Sequence, residues 1–486
     1  MGEQQDRAAS SPVAADTLSV HDTRQLMLPP AGAQIHIIGI GGIGTSALAR
    51  VLARWGYRVT GSDAAASVVT AALIAEGIAV TIGHRAEAVA GADLVVYSAA
   101  VRETNPELVA ARAAGTPTVK RAPLLGLIAN ARDGLAVAGT HGKSTTSAML
   151  AKICIDAGRD PSFFVGAILQ DFGTNARPGG GDLVVLEADE YDRSFLQLFP
   201  RVAIVTNMEH DHPDIYPTFE EMRTAYLTFL AQVQPGGTIV ISADDPGCVA
   251  LRPVIATAAD VTIVTYGRAA GADWRLVAAG SGDTVLQQRA AVATLTLGVP
   301  GEHNRLNALA ALAAAAVVGI APEVAAASLS GFTGTGRRFE LKGEAHGITF
   351  IDDYAHHPTE VAVNLRAAHE RYPGQPLWAV FQPHTYSRTK LLLREFAESL
   401  ADADRVVLLD IYAARETDTL GVSADDILAL LPARATPLRA PRPTDAAAVL
   451  LAEYRAGRLS AGAVVLTLGA GDVTEIGTMV LDALRD

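Results

Sequence analysis

The run Gly139-Thr140-His141-Gly142-Lys143-Ser144-Thr145-Thr146 follows an apolar stretch, Leu135–Ala138, and precedes a helix-like segment, Ser147–Ala151. Glycines let backbone N–H groups converge on phosphate oxygens, and the helix N-terminus adds the positive end of its dipole. In that setting Lys143 reaches the β- and γ-phosphates of a nucleotide, and the Ser144 hydroxyl suits Mg²⁺. Val137 stands where the strict phosphate-loop pattern has its first glycine, so this is a shorter G-x-x-G-K-S form. The expectation is a protein that binds ATP and acts on its γ-phosphate.

Two further apolar runs end in groups that fit such chemistry. Asp182–Leu186 ends at Glu187, where nucleotide hydrolases and transferases place a Mg²⁺ ligand or a water-orienting group. Val202–Thr206 ends in Asn207-Met208-Glu209-His210-Asp211-His212. Open α/β sheets bind ligands at the carboxyl ends of their strands, so both ends are expected on one edge. Carboxylate suits Mg²⁺ and His is a less usual ligand, so His210 reads as a surface residue.

Upstream, Gln34–Ile38 runs into Gly39-Ile40-Gly41-Gly42-Ile43-Gly44 and a helical stretch to Trp55. A second strand ends at Ser62-Asp63 and a third at Ser98. Together these form a βαβ nucleotide fingerprint with an acidic residue at the expected distance. The short interval before the phosphate loop leaves little room for a second mononucleotide half, which favours one nucleotide, such as a UDP-sugar. Downstream, Thr349–Tyr354 leads into Ala355-His356-His357-Pro358-Thr359-Glu360, and Leu377–Phe381 leads into Gln382–Arg388.

These elements alternate strand and helix, which predicts an α/β protein of three doubly wound, mainly parallel-sheet domains. The expected division is a disordered tail over 1–33, a first domain over 34–132, a central domain over 133–335 and a third over 336–486. The tail expectation rests on a polar stretch that ends in Pro29-Pro30 and has no apolar signal-peptide core. With 486 residues and 49% hydrophobic content, several packed cores are expected. Net charge is −13 without a basic run, which argues against a nucleic-acid partner. Lysine is scarce, with five in the chain, so one inside a phosphate motif carries weight. Cys154 and Cys248 show no metal or disulfide spacing, which suits a reducing compartment. The Ala-rich run 308–320 is too short to span a bilayer. A cytoplasmic protein without membrane insertion, monomeric or a weak homodimer, is the expectation.

With these residues in view, the chain resembles the Mur ligases over residues 34–486. The motifs that carry the resemblance are Gly39–Gly44, Gly139–Thr146, Glu187–Glu190, Asn207–Asp214, Gly301–Asn307, Gly334–Phe339, Asp352–Glu360 and Phe381–Thr389, in the family's order. The resemblance implies a UDP-sugar domain, an ATPase domain and an amino-acid domain. It also implies a reaction: ATP phosphorylates the lactyl carboxylate of UDP-N-acetylmuramate, and the amine of L-alanine attacks the acyl phosphate. A tripeptide-adding relative shares most of these motifs, and Gln382–Thr389 favours the alanine-adding one. The competing class is a nicotinamide-dependent oxidoreductase, which would need the missing nucleotide half.

Carried over by position, Lys143 and the amides of Gly139, Thr140, His141, Gly142, Ser144 and Thr145 hold phosphates. Ser144 and Glu187 bind one Mg²⁺, and His212 helps bind a second. His303, Asn304 and Asn307 resemble the adenine-side motif, and Arg338 resembles the charge-stabilising arginine. Gly41, Gly42, Ile43, Gly44, Ser62, Asp63 and Ser98 sit where the UDP-sugar lies. Asp352, His356 and His357 sit where the family closes on nucleotide and amino acid. Some members carry a carbamylated lysine between the glutamate and the His-Asn motif. This chain has no lysine between Glu187 and His303, and arginine cannot form a carbamate because it stays protonated.

Overall fold

The computed structural model describes residues 27–98, 100–257, 260–279 and 282–485. They form three sheets. The first holds β1 (Gln34–Ile38), β2 (Arg58–Asp63), β3 (Ala79–Ile82), β4 (Leu94–Tyr97) and β5 (Thr118–Lys120), all parallel, in the order 3-2-1-4-5. The glycine-rich turn and the ends of β2 and β4 therefore share the carboxyl edge. Two strands, not three, lie beyond the switch point between β1 and β4, short of a full dinucleotide sheet.

The central sheet has ten strands. They are β6 (Asp133–Ala138), β7 (Ser162–Leu169), β8 (Thr174–Arg177), β9 (Leu183–Glu187), β10 (Val202–Val205), β11 (Thr238–Ser242), β12 (Thr262–Gly267), β13 (Trp274–Ala279), β14 (Gly282–Gln287) and β15 (Ala290–Leu295). β6 lies between β9 and β10, parallel to both, and residues Leu135–Ala138 are fully buried. That explains why β6 reads as a continuous apolar run and not as an alternating one. The far edge, β13 to β15, is an antiparallel meander absent from the doubly wound expectation. One face is covered by the helices Lys143–Asp156 and Glu302–Val317. Residues Ala308–Ala315 are buried there; small side chains bring the backbones close, so the Ala-rich run is core. The opposite face packs on Phe219–Leu230 and Pro246–Ile255.

The third sheet holds β16 (Glu340–Ala345), β17 (Ile348–Asp353), β18 (Leu377–Phe381), β19 (Arg405–Leu408), β20 (Pro437–Arg439) and β21 (Val464–Leu468) in the order 16-17-21-18-19-20. It is parallel apart from β16.

The first unit rests directly on the central one. Trp55 Nε1 donates to Gly179 O at 3.1 Å, and Arg132 stacks over the Trp55 ring at 4.8 Å. A Cβ at Gly126 would sit 2.5 Å from Gln197 O, so this helix–loop contact requires glycine.

Residues 1–26 of the expected tail lie outside the described residues. Its last part is not a tail. Leu28 packs on the first core, Tyr57 Oη donates to Pro29 O at 2.9 Å, and Arg58 Nε donates to Gly32 O at 3.2 Å. The proline pair and the turn after it form a strap that leads into β1. Losing the Leu28 contact and these hydrogen bonds removes about 1–2 kcal/mol. A chain that begins at Gln34 is therefore expected to melt several degrees below one that begins at Met27. Equal melting temperatures in calorimetry would contradict the strap.

Candidate functional site

The phosphate loop is pinned from β10. Asn207 Oδ1 accepts from His141 N at 2.8 Å, and Thr206 Oγ1 donates to His141 O at 2.6 Å. Thr140 Oγ1 donates to Glu209 O and accepts from Glu209 N, at 3.0 and 2.9 Å. Gly142 has φ +80°, and a Cβ there would meet Asn307 Oδ1 at 2.6 Å. The positive φ favours glycine, and any side chain there would also displace Asn307.

Lys143 Nζ donates to Glu190 Oε1 at 2.7 Å and to the carbonyls of Gly139 and Thr140. Burial opposes its charge, but Glu190, Asp189 and Glu187 outweigh it and raise the lysine above its ordinary value. Ser144 Oγ lies 2.9 and 3.1 Å from the two Glu187 oxygens, and Glu187 also accepts from Gly166 N at 2.7 Å. This carboxylate opposite a hydroxyl, at the head of the Lys143–Asp156 helix, is hard-oxygen chemistry that fits Mg²⁺.

Three clefts meet here. The first, about 850 Å³, is lined by His141, Gly142, Ser144, Thr145, His303, Asn304, Asn307 and Arg338. The second lies between the first and central units and includes Gly44, Arg121, Asn175, Gly166 and Glu187. The third, about 2270 Å³, includes Lys143, Ser144, Glu187, His212, Arg338, His356, His384 and Arg388. Ser144 belongs to the first and third clefts, and Glu187 to the second and third.

The third unit is clasped onto the phosphate loop by charged groups. His141 lies between Glu209 Oε2 (3.4 Å from Nε2) and Glu360 Oε1 (3.2 Å from Nδ1). Thr359 Oγ1 donates to Glu209 Oε2 at 2.7 Å. Burial opposes a charged His141, but the two carboxylates outweigh it and raise it to about 9. In turn His141 outweighs burial at Glu209 and lowers it to about 2. Arg388 donates from Nε and Nη2 to Asp211 Oδ1 at 3.0 and 2.7 Å, which holds Asp211 well below its ordinary range against the effect of burial. Burial lowers His303 and His384 to about 4 and His356 to about 3, so these imidazoles are neutral.

His212 lines the third cleft, with Glu190 and Asp211, not the Ser144–Glu187 pair, as its carboxylate neighbours. Its Nε2 is 3.6 Å from Glu190 Oε1 and 3.7 Å from Asp211 Oδ2. The adjacent histidines divide. His356 enters the third cleft, whereas His357 caps the helix Pro358–Arg371 and lies tilted against the His141 ring, with centroids 4.7 Å apart.

Two expected ligand-facing residues are not at a ligand surface. Ser62 is fully buried, and its hydroxyl donates to Glu107 Oε2 at 2.5 Å. Asp352 is also fully buried, held by Thr467, Thr474 and Arg337. It anchors Arg337, and the next residue, Arg338, enters two clefts. Asp63 Oδ2 accepts from Gly41 N at 2.8 Å and so braces the glycine-rich loop. Gly42 N-caps the helix that Ile43 opens, and Gly44 reaches the second cleft. A Cβ on Gly39 would press on Ser98 Oγ at 3.1 Å, which places Ser98 beside the loop.

Glu190, Glu209 and the Asp211–Arg388 pair were not singled out by the sequence reading. Their one-dimensional signal is the density of acids after β9 and β10; their partners lie across the fold.

Three Mur ligase family models match the chain in succession. The catalytic-domain model covers residues 34–133, the middle-domain model 137–315 and the glutamate ligase domain model 337–471. A UDP-N-acetylmuramate–L-alanine ligase of Frankia casuarinae is 42% identical, over 93% of this chain and 97% of that one. One from Renibacterium salmoninarum is 44% identical, over 93% and 96%. Among solved structures, the UDP-N-acetylmuramate-alanine ligase MurC of Thermotoga maritima superposes with a TM-score of 0.70 at 28% identity, over 93% of this chain and 99% of that one.

The His141 clasp sets a pH dependence. A group whose folded pKa is raised contributes stability that is complete below its unfolded value and lost as pH rises through the folded one. For His141 the window runs from 6.5 to about 9, with an upper limit of about 3 kcal/mol. The stability difference between the nucleotide-free protein and H141N is therefore expected to shrink across that window. A difference independent of pH from 6 to 9.5, measured by urea unfolding, would sink the assignment.

Proposed function

The chain belongs to the Mur ligase family, and from that premise we propose its reaction. It joins L-alanine to the lactyl carboxylate of UDP-N-acetylmuramate and converts ATP to ADP and phosphate, a step of peptidoglycan precursor synthesis. One observation carries the reading: three clefts from three units converge on Ser144 and Glu187.

ATP occupies the first cleft, with its base toward His303, Asn304 and Asn307 and its phosphates over the loop amides. The second cleft holds the sugar end of UDP-N-acetylmuramate, beside Arg121 and Asn175. Its uridine end lies on the carboxyl edge of the first sheet, near Gly41, Gly42 and Asp63. The third cleft receives L-alanine.

A carboxylate oxygen of the lactyl group attacks the γ-phosphorus in line, and the bond to ADP breaks. The alanine amine then attacks the acyl carbon, phosphate leaves, and the amine loses its proton. Transfer between anions needs positioning and charge neutralisation more than covalent help. Lys143 supplies positive charge once nucleotide oxygens replace Glu190 as its partner. Arg338 supplies it from the third unit. Mg²⁺ on Ser144 and Glu187, with His212 toward a second ion, would neutralise the remaining phosphate charge. With no lysine between Glu187 and His303, no carbamate takes part there.

Among the described residues no helix is long and apolar enough to cross a membrane. The reading places the enzyme in the cytoplasm, where ATP is available, as a monomer or weak homodimer.

Phosphate release from ATP, measured with UDP-N-acetylmuramate against alanine, glycine, serine and a cell-wall tripeptide, tests the assignment. Release is expected with alanine, and release with the tripeptide alone would assign the chain to the recycling ligases. Lys143→Ala is expected to lower kcat by at least about 100-fold, the scale of removing one preorganised charge-stabilising group. Its affinity for UDP-N-acetylmuramate should stay within about twofold by calorimetry, because the sugar clefts do not include Lys143. Equal loss of both in a folded variant would contradict the division of labour. Activity should also be indifferent to bicarbonate depletion, and restoration of lost activity by bicarbonate would refute the carbamate-free site.

A further inference from the structure

Among the described residues, His141, Glu209 and His357 form the one group of three whose ligand atoms all lie within 4.8 Å of one another. They come from three separate segments: the phosphate loop, the end of β10 and the cap of a third-unit helix. Neither the hydroxyl–carboxylate pair at Ser144 nor the reaction itself calls on this trio.

The two ligand separations at Glu209 are close to those around a small tetrahedral ion. Bonds of about 2.0–2.1 Å in a tetrahedron set ligand atoms about 3.3 Å apart. His141 Nε2 is 3.4 Å from Glu209 Oε2, and His357 Nδ1 is 3.7 Å from the same oxygen. The ring orientations suit it as well. A ligating histidine normally gives its other N–H to a carboxylate, which fixes the tautomer. His141 Nδ1 faces Glu360 Oε1 at 3.2 Å, which leaves Nε2 for the ion. His357 Nδ1 accepts from Thr359 N at 3.3 Å, so its proton sits on Nε2, and an ion at Nδ1 takes the lone pair over from that long bond. Glu209 is steadied by Thr359 Oγ1 at 2.7 Å.

We propose that His141, Glu209 and His357 form a site for an imidazole-preferring divalent cation of the Zn²⁺ class, which staples the third unit to the phosphate loop. The ion takes the place of the proton between His141 Nε2 and Glu209, and it displaces the long Thr359 bond from His357. One position stays open toward the nucleotide cleft, which His141 and Glu209 both line. Two nitrogens and one oxygen favour an imidazole-preferring ion over Mg²⁺ as the resident, because hard cations prefer oxygen ligands. This ion is therefore separate from any that Ser144 and Glu187 hold.

The test uses the full chain without nucleotide or Mg²⁺, titrated with Zn²⁺ against a chromophoric chelator. One Zn²⁺ per chain is expected, undisplaced by excess Mg²⁺, with a melting temperature that rises with Zn²⁺ concentration. E209Q and H357N should each weaken binding by at least about tenfold, since losing even an outer hydrogen-bond partner costs that much. Asn is itself a good helix cap, so H357N keeps the helix start intact. E187Q should bind as tightly as the parent. No stoichiometric binding, equal binding by E209Q and H357N, or loss of binding in E187Q would each overturn the site.

Discussion

The Lys143–Glu190 ion pair is the interaction on which the rest of the site depends. Three carboxylates, Glu187, Asp189 and Glu190, crowd the head of one helix. Without the lysine they would repel one another, and Glu190, the buried one of the three, would lose its nearest cation where unpaired charge is expensive. Without Glu190 the ammonium would have only carbonyl oxygens in its place. The pair keeps the loop folded when no anion is present. It also stores a cation beside the place where phosphate charge must be received. In a chain with net charge −13 and five lysines, such local storage takes the place of a basic surface.

The second constraint is closure. The third unit meets the loop through His141–Glu360, Thr359–Glu209 and Arg388–Asp211. Each of these is buried or half-buried, so each carries more weight than an exposed pair. They also involve the residues that face the ligand clefts. Docking of the third unit and the lining of the clefts therefore draw on the same groups.

Much of this was legible in one dimension. The phosphate loop obeys a local rule, in which glycine positions, lysine and hydroxyl follow from backbone geometry alone. Strand ends at Glu187 and after Val205 were likewise readable, because parallel buried strands are continuous apolar runs. The meander β13–β15 was missed; its strands are only partly buried and carry no comparable apolar run. The strap Leu28–Ala33 was read as tail because two prolines and polar neighbours look alike in both states. Glu190 and Glu209 acquire meaning only from partners far away in sequence.

The misplaced ligand residues share one cause. Ser62-Asp63 and Asp352-Asp353 are consecutive residues at strand ends, and a strand turns successive side chains to opposite faces. Only one of each pair can look toward the ligand edge. Asp63 braces the glycine loop while Ser62 turns inward to Glu107; Asp353 lines the nucleotide cleft while Asp352 turns inward to Arg337. His356 and His357, just past a strand, divide likewise: His356 enters the third cleft, and His357 turns to the helix start and the His141 ring. The two inward residues have structural partners: Ser62 ties β2 to Glu107, and Asp352 fixes Arg337, the neighbour of Arg338. At a pair of adjacent polar residues ending a strand, backbone parity therefore decides which side chain faces the ligand edge and which turns inward to a structural partner.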